Sequence, residues 1–551
     1  MKFKALNPFL SFLLSLLILF ASSVSMAAVS DDIKHLVQNP VNGELIVSGI
    51  KLGVPEIVRN FYQYNDYQPT WNDKGKIKVL LKHINDSYKL GLSPEDYLQN
   101  ELKTRLDKMF KSDREKAELD ILLTDALVRL AYHLKFGKVV PSTLDPDWNV
   151  RRAFTSADQV AKLHYALRSS DKLQQQLEKI SNIGPVYQGL IDALARYRAI
   201  EAQGGWQPIP AGQTIKPGMS DPRVPLIIAH LKIVGDLKTD NSSDDKPLYT
   251  PEIENTVKSF QHRHGLEDDG VIGKGTLEQM NIPVARRIKQ ILANLERIRW
   301  VNDNLGDEFV VVNIAGFQVY YAKNNKVFWH SKAQVGTRYR RTPVFRDEIT
   351  YVEFNPTWTV PPTILRKDVL PKLKKDRGYL KQKNMRIVDR NGKTIDPNSI
   401  NWSTVTARTF PYMIRQDPGP NNALGRVKIM FPNKHMVYLH DTPSKSKFNR
   451  AERAFSSGCV RVQKPFELVE LLLKDPQKWN QESFKKILDS RKTQRVNLKQ
   501  PVPILLLYFT ARMGEQDQVY FFRDVYKRDE KVIKALEQPF KFVSPASKSS
   551  S

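Results

Sequence analysis

Apolar residues recur at three- and four-residue steps through most of residues 30–200. The stretch "REKAELDILLTDALVRLAYHLKFGKV" at 114–139 shows the period clearly, and this spacing places apolar side chains on one face of an α-helix. No catalytic constellation occurs in this part of the chain. We therefore predict a helical scaffold domain over residues 28–200, followed over residues 201–222 by a linker rich in Gly and Pro.

A second helical pattern follows the linker, over residues 223–283. It predicts helix, polar loop, helix, tight turn and helix, with Thr250 as the N-cap of the middle helix. Gly265, Gly270 and Gly273 stand at predicted turn positions where a side chain would be strained. This pattern requires only a small three-helix core.

The apolar period changes to two after a basic connecting helix predicted over residues 285–304. Alternating segments predict a mainly-β domain over residues 305–535. An insertion rich in Pro and Lys, residues 361–409, interrupts the strands, and such long insertions commonly cover a site. Residues 536–551 end in a Ser-rich tail, for which we expect disorder. The predicted fold class is multidomain α+β, with the insertion as a cap.

The N-terminus carries an apolar run from Phe9 to Phe20, with lysines before it and small residues after it. This arrangement predicts a secretory signal peptide over residues 1–27, cleaved after Ala27. The alternative is an uncleaved membrane anchor, but the run is shorter than the roughly 20 apolar residues that span a bilayer. The mature chain is thus expected to be exported and soluble.

The formal net charge is +26, from 85 Lys and Arg residues against 59 Asp and Glu residues. A basic excess of this size predicts a polyanionic partner. Export argues against nucleic acid, so anionic polymers of the cell envelope and the membrane surface remain. Simple solubility is the alternative explanation of the charge.

The chain has a single cysteine, Cys459, so no disulfide can form within it. This residue is either a small buried hydrophobe or a working thiol. No H-E-x-x-H motif occurs, and the ten histidines are scattered. His262 and His264 point in different directions on a helix. We therefore predict no metal site and no cofactor.

The strand "HMVYLHD" at 435–441 precedes the cysteine. Its alternation sends Tyr438 and His440 to one face and the aliphatic residues between them to the other. Cys459 follows after a loop, and Gly458 lets the backbone approach a substrate carbonyl. A strand and a return loop can bring imidazole and sulfur together.

Such a pairing suits nucleophilic catalysis. An isolated thiol has a pKa near about 8.5, which an adjacent imidazolium lowers. The amide of Cys459 is the natural oxyanion donor. Arg461 is positioned in the sequence to hold a substrate carboxylate or to favour the thiolate.

Two motifs resemble known families. "FQHRHGLEDDGVIGKGTL" at 260–277 resembles the peptidoglycan-binding domain of bacterial wall enzymes. "HDTP" at 440–443, together with "SSGCVRV" at 456–462, resembles the active-site motif of L,D-transpeptidases with a YkuD-type catalytic domain. In "NPTWTVPPTI" at 355–364, Trp358 belongs to a stretch that resembles the Trp-Pro-Pro segment of that family.

The second resemblance implies roles for individual residues. Cys459 matches the nucleophile, His440 the general base, and Ser457 stands where a second histidine is usual. It implies oxyanion or substrate binding by Gly458, Tyr438, Ser456, Ser457, Arg461 and Trp358. The insertion that follows Trp358 resembles the cap of the large Gram-negative members.

The implied function is a periplasmic L,D-transpeptidase that forms 3→3 peptidoglycan cross-links through a cysteine acyl-enzyme. Its expected substrates are tetrapeptide stems, and wall synthases are candidate partners. An L,D-carboxypeptidase or a lipoprotein-attaching transpeptidase would use the same nucleophile. A zinc peptidase lacks its motif here, and a non-catalytic wall-binding scaffold stays open as an alternative.

Overall fold

The structure is a computed structural model that describes residues 26–110, 112–150, 156–237, 247–301, 306–324, 326–406, 408–514 and 517–540. The predicted signal peptide, except its last two residues, lies outside the described residues, as does the tail beyond residue 540. In these described ranges, no helix has the length and apolar content needed to cross a bilayer.

The N-terminal region is helical, as predicted. Its helices surround α5, Asp113–Phe136, which is buried along most of its length. Ser112 caps α5 by accepting the Glu115 N–H, and such a cap satisfies a donor that the first turn leaves free. The other helices are α1 (26–38), α2 (Pro55–Tyr64), α3 (Lys74–Asp86), α4 (Gln99–Leu106), α6 (Pro141–Leu144), α7 (Ser156–Ala166), α8 (Ser170–Ser181) and α9 (Pro185–Ala202). Two short strands, β1 (Ile46–Val47) and β2 (Ile50–Lys51), form a hairpin between α1 and α2.

Three helices form the next module: α10 (Val224–Ile233), α11 (Pro251–Arg263) and α12 (Lys274–Met280). The Thr250 hydroxyl accepts the Ile253 N–H, which confirms the predicted cap. Gly265 and Gly270 adopt positive φ, at +63° and +74°. The prediction for Gly273 is wrong, because its φ is −96° and a side chain there would meet little.

Part of the predicted linker belongs to this module. A β-bridge joins Ile215 to Ile272, and Ile209 is buried with the module's core. The chain therefore packs against the module from about residue 209 onward. Burial of the two isoleucine side chains stabilises this packing, although the stretch is rich in Gly and Pro.

Helix α13, Val284–Val301, follows and lies at the centre of the molecule. It packs against α9 of the scaffold domain and against α19, Asp529–Leu536. Arg297 forms an ion pair with Asp529 at 2.6 Å, and both side chains are almost wholly buried. The predicted connecting helix thus ties together three parts of the chain.

The mainly-β domain is confirmed as a nine-stranded mixed sheet. The strand order is β13-β5-β14-β12-β11-β6-β15-β3-β4, and a further pairing of β4 with β5 closes a ring. Its strands are β3 (Glu308–Asn313), β4 (Gln318–Lys323), β5 (Lys326–Gly336), β6 (Phe345–Phe354), β11 (Val427–Met430), β12 (Leu439–His440), β13 (Ala454–Ser456), β14 (Val460–Val462) and β15 (Gln494–Leu507). Helices α17 (Pro465–Leu473) and α18 (Gln481–Asp489) cover it.

The insertion folds as a separate layer with its own apolar core. Its sheet has the order β7-β10-β8-β9. Strands β7 (Trp358–Thr359) and β10 (Met413–Gln416) lie just outside the predicted limits of 361–409. Between them are α14 (Pro362–Ile364), a π-helical turn (Leu365–Val369), α15 (Leu370–Lys375), α16 (Tyr379–Gln382), β8 (Met385–Val388) and β9 (Thr394–Ile395).

The C-terminal part returns to the helical regions. Strands β16 (Ala511–Met513) and β17 (Val519–Phe521) form a hairpin that packs with α9 and α13. The described chain continues past the predicted start of the tail at residue 536. Phe540 packs on the scaffold domain, with its ring 4.4 Å from that of His133.

Candidate active site

Strands β12 and β14 bring the two motif segments together. They pair in parallel, with Leu439 opposite Val460 and His440 opposite Arg461. The Val460 N–H donates to the Tyr438 carbonyl at 3.1 Å and continues the pairing by one residue. Tyr438 is therefore aligned with Cys459.

The alternation of side chains then decides which residues meet. Leu439 and Val460 point into the sheet's apolar core. Because neighbouring residues on a strand face opposite ways, the side chains of Tyr438, His440 and Cys459 emerge on the other face. His440 is thus a diagonal neighbour of Cys459 across two adjacent strands, and Tyr438 and His440 share a face, as the alternation predicted.

His440 is held in a buried position, 3% exposed. Its Nδ1 hydrogen-bonds the Asp441 carbonyl. Since a carbonyl only accepts, this contact places the proton of the neutral ring on Nδ1. The Leu424 carbonyl is a second backbone group that acts on the ring. The group that orients this imidazole is therefore the backbone carbonyl of Asp441. The sequence alone could not identify it.

Burial also keeps His440 neutral. Desolvation, with the nearby Arg461 cation, lowers the pKa of His440 from 6.5 to about 3. A charged imidazolium is unfavourable in this setting. An imidazolium at rest is therefore not the cause that lowers the pKa of the thiol here, and His440 is suited to accept a proton.

The Cys459 thiol is half-buried. Burial raises its pKa above the ordinary value, while hydrogen bonds from Tyr438 and the charges of Lys428 and Arg461 act in the opposite direction. The thiol donates to the Met436 carbonyl at 3.7 Å. The site therefore holds a neutral thiol at rest and surrounds it with groups that would stabilise a thiolate.

The loop before Cys459 is braced by hydrogen bonds. The Ser456 hydroxyl accepts the Gly458 N–H at 3.1 Å and donates to the Cys459 carbonyl. Thr342 donates to the Gly458 carbonyl at 2.8 Å. Gly458 has φ +122°, a backbone conformation that a side chain would strain. Ser456 and Gly458 thus shape the loop.

Ser457 is exposed and takes part in a different contact. The Arg340 guanidinium donates to its hydroxyl at 2.8 Å. The same guanidinium forms a two-pronged pair with Asp368 of the insertion, at 2.6 and 3.1 Å. Ser457 therefore connects the loop to the cap through Arg340.

Trp358 lies near the Tyr438 hydroxyl, and Arg461 lies near the Cys459 thiol. Trp358 begins the insertion, and its indole approaches the Tyr438 hydroxyl and lowers the pKa of that group against a strong rise from burial. Arg461 donates to Gln334 on β5 at 3.2 Å, and its buried Nε has no partner in the described part of the chain.

Lys428 was missed by the sequence reasoning. It pairs with His440 between β11 and β12, and its ammonium lies 4.3 Å from the Tyr438 ring centroid. The pKa of Lys428 is lowered overall, because burial outweighs the opposing effects of the nearby Glu353 and Cys459. The alternation of Val427, Lys428 and Ile429 could have identified Lys428 as a site residue. It places the Lys428 side chain on the face of the strand that points away from the apolar core.

The described residues contain no group of three or more His, Cys, Asp or Glu side chains placed to hold a metal ion. His264 is buried, and its Nδ1 bonds the Phe260 carbonyl at 2.7 Å. His262 instead pairs with Asp268 at the surface. Of the two histidines in the segment 260–277, His264 is therefore buried in the module and His262 lies at its surface.

Comparison with known families matches three parts of the chain. Residues 307–502 match the YkuD family, described as "L,D-transpeptidase catalytic domain". Residues 307–502 therefore form an L,D-transpeptidase catalytic domain. Residues 56–194 match a family described as "Scaffold domain", and residues 220–280 match the "Putative peptidoglycan binding domain".

A curated protein is similar in sequence to part of this chain. This relative, named "Putative L,D-transpeptidase", is from Haemophilus influenzae (strain ATCC 51907 / DSM 11121 / KW20 / Rd) and is 37% identical over 256 residues. The match covers 46% of this chain and 51% of the relative. The chain thus spans about half the length of this relative.

Two solved structures are similar over 54% of this chain. One is an L,D-transpeptidase (residues 123–326) from Xylanimonas cellulosilytica, at 14% identity, with 99% of its chain covered and a TM-score of 0.18. The other is a fused Zn-dependent amidase/peptidase/peptidoglycan-binding domain-containing protein from Clostridium acetobutylicum, at 12% identity, with 100% covered and a TM-score of 0.15.

Proposed function

We propose that this protein is an exported L,D-transpeptidase that forms 3→3 cross-links in peptidoglycan through a Cys459 thioester. The proposal rests on one observation above all. Within the L,D-transpeptidase domain, Cys459 lies diagonally across from His440, whose Nδ1 is bonded to a carbonyl. A thiol on a strand next to one that carries a neutral imidazole suits acyl transfer, in which the imidazole accepts the thiol proton.

In the first step, the sulfur attacks the meso-diaminopimelate carbonyl whose amide bond joins this residue to the terminal D-alanine of a donor tetrapeptide stem. Nε2 of His440 accepts the thiol proton as the S–C bond forms. The carbonyl oxygen gains negative charge, which the Cys459 amide is placed to stabilise. The same proton then passes to the departing amine, the C–N bond breaks and D-alanine leaves.

In the second step, the side-chain amine of another stem attacks the thioester. His440 takes the proton of that amine and returns it to the departing sulfur, so the thiol is restored. Lys428 and Arg461, whose charges lower the pKa of Cys459, would favour sulfur as a leaving group. Water as acceptor would instead make an L,D-carboxypeptidase, and a lipoprotein amine would make an attachment enzyme.

The remaining parts of the chain fit an enzyme of the cell envelope. We assign the three-helix module to binding of the wall polymer and the net charge of +26 to attraction by its carboxylates. The proposed location is the periplasm, reached through the signal sequence. Tyr438, Trp358 and Ser457 are assigned to the substrate-facing wall of the site.

The test is mass analysis of muropeptides after the mature protein is incubated with tetrapeptide-rich sacculi. We expect 3→3 dimers and released D-alanine from the wild type and none from Cys459→Ala. Circular dichroism should show that the variant is folded. Wild-type levels of dimers from Cys459→Ala would overturn the proposal.

The same experiment separates the alternatives. Tripeptide products without dimers would identify a carboxypeptidase, because water would have taken the acyl group. Added lipoprotein recovered on the sacculi would identify the attachment reaction. Retention on sacculi with no change in muropeptides would leave only a wall-binding scaffold.

A further inference from the structure

A cleft of about 480 Å³ separates the wall-binding module from the L,D-transpeptidase domain. The turn before α12, residues 265–269, forms its module wall. The opposite wall comes from the β17 strand, the segment after it and residues 451–453. The proposed chemistry at Cys459 uses none of these residues.

The two walls are fixed relative to each other. Phe522 of the catalytic domain packs under Gly265 of the module, where an added Cβ would approach its ring to 3.1 Å. The Arg263 guanidinium, which is buried, pairs with Asp236 and donates to the Val519 carbonyl at 3.3 Å. The cleft is therefore a formed site between two packed domains.

Charges of both signs line the cleft. The module contributes the exposed carboxylates Glu267 and Asp268, and the catalytic domain contributes the exposed cations Lys332 and Arg523 together with the exposed carboxylate Glu452. Arg523 has an ion pair with Glu278 at 3.3 Å, with both side chains substantially exposed. Such exposed pairs are weak, so the arginine can exchange this partner for a ligand.

Arg512, Tyr520 and Gln318 also line the cleft. The Arg512 guanidinium lies 4.7 Å from the Tyr520 ring centroid. The buried Nε of Arg512 and the buried Oε1 of Gln318 have no hydrogen-bond partner among the residues that the structure describes. These two atoms are buried, so the charged groups open to a ligand are those of the exposed Lys332 and Arg523 side chains.

A groove leads from the cleft toward the catalytic loop. A second depression shares Glu452, Arg523 and Val525 with the cleft and extends to Thr337 and Tyr339. The Tyr339 side chain is 92% exposed. The next residue, Arg340, donates to Ser457, two positions before the proposed nucleophile.

We propose that this cleft binds a peptide stem that carries free carboxylates and a free ammonium group, with the attached polymer following the groove to Cys459. A lining that carries both carboxylates and cations suits a zwitterionic peptide, whereas a neutral glycan would gain little from these charges. Holding one stem here raises the effective concentration of neighbouring stems at the thiol. The inference rests on the proposed function, since it names a second stem site for the same reaction.

The test uses the full mature chain and a soluble tetrapeptide stem that carries a photoreactive diazirine. After irradiation, peptide mapping should find adducts in the cleft, within residues 262–276 or 512–525, in addition to adducts near Cys459. In the double variant Lys332→Glu with Arg523→Glu, we expect cleft labelling to fall by at least about tenfold, because two charge-assisted contacts are lost. Labelling near Cys459 and the rate of thiol acylation by a small carbapenem should stay unchanged.

The matched control is Lys323→Glu with Lys326→Glu, which makes the same change of charge on exposed residues outside the cleft. Cleft labelling in the control should equal that of the wild type. Unlabelled cleft peptides, or equal labelling in both double variants, would overturn the inference. Competition by a stem-free N-acetylglucosamine tetramer would also overturn it, in favour of a glycan site. Failure of the proposed function would differ, because Cys459 would then resist acylation while the cleft still bound the stem.

Discussion

Arg340 holds Asp368 of the capping insertion and Ser457 of the catalytic loop with one guanidinium. The pair with Asp368 is two-pronged, and the contact with Ser457 is 2.8 Å long. An arginine fork of this kind fixes geometry as well as charge. Ser457 stands in place of the family's usual second histidine. It therefore takes part in joining the cap to the site.

Arg340→Ala should loosen the cap and slow acylation of Cys459. We expect a fall of about tenfold in the acylation rate, because cap closure positions the ligand without supplying the nucleophile. The measurement is stopped-flow or mass-resolved acylation by a carbapenem. Arg338→Ala, on the exposed neighbour, should leave the rate unchanged, and equal rates in both variants would contradict the role of the link.

A carbapenem should form one adduct with the whole chain. Its strained amide carries a carboxylate and can present its carbonyl to Cys459, where ring opening leaves a thioester. Because the chain has one cysteine, intact mass should show a single addition, and peptide mapping should place it within residues 454–461. We expect trimming of residues 361–409 to slow the reaction and to leave the position of the adduct unchanged. An adduct on serine or lysine would refute the mechanism.

The pH dependence of acylation should reflect a neutral His440. Since the pKa of His440 is about 3, its Nε2 is free to accept a proton at every pH above about 4. The rate should therefore show no ascending limb near about pH 6.5, and it should rise toward the raised pKa of the thiol. A limb at about pH 6.5 that vanishes in His440→Gln would contradict this prediction.

His440→Gln itself should slow acylation by about 10²- to 10⁴-fold, the usual worth of a general base. The pH profile of thiol alkylation should change little, because burial is the main cause that raises the pKa of Cys459. His435→Gln, on the turn before β12, is the control for both measurements. It should keep the wild-type rate.

Lys428→Met should raise the pKa of the Cys459 thiol further. The variant keeps most of the side-chain volume and removes a cation that lowers this pKa. We expect acylation near neutral pH to slow by about tenfold, because the lost cation no longer favours the thiolate. Thiol alkylation across the pH range is the measurement, and the exposed Lys434→Met is its control. An unmoved alkylation profile would exclude an electrostatic role.

The wall-binding module should lose stability in acid because burial lowers the pKa of two of its histidines, His230 and His264. Burial lowers the pKa of His230 to about 3, and the unfolded chain has a pKa of about 6.5. The unfolded state therefore binds an extra proton between these values, so stability that is complete above about pH 6.5 is lost as the pH falls toward about 3. At about pH 5, the loss from this group is about 2 kcal/mol.

His230→Leu should reduce that pH dependence. The buried Nδ1 has no partner in the described part of the chain, so no hydrogen bond is lost with the ring. Hydrogen exchange of module peptides at about pH 7.5 and about pH 5 measures the difference. The exposed His262→Leu should keep the wild-type dependence, and a similar acid loss in His230→Leu would refute the assignment.

Local pattern predicted much of this fold. The three-helix module, the strands from residue 308 onward and the Thr250 cap follow from periodicity and capping preference, which act over a few residues. The alternation around His440 also held, although β12 has only two residues in regular pairing. These features depend on neighbouring residues, so the sequence alone was sufficient.

Only the tertiary structure decided how distant segments meet. The pairing of His440 with Arg461 and Lys428, and the contact of Arg340 with Asp368, join strands and loops separated by many residues. The pKa directions of Cys459 and His440 follow from desolvation, which other segments impose. Isoleucines of the predicted linker and Phe540 likewise found apolar partners far along the chain. Periodicity carries no information on register or on which surfaces exclude water, because both depend on the packing of the whole chain.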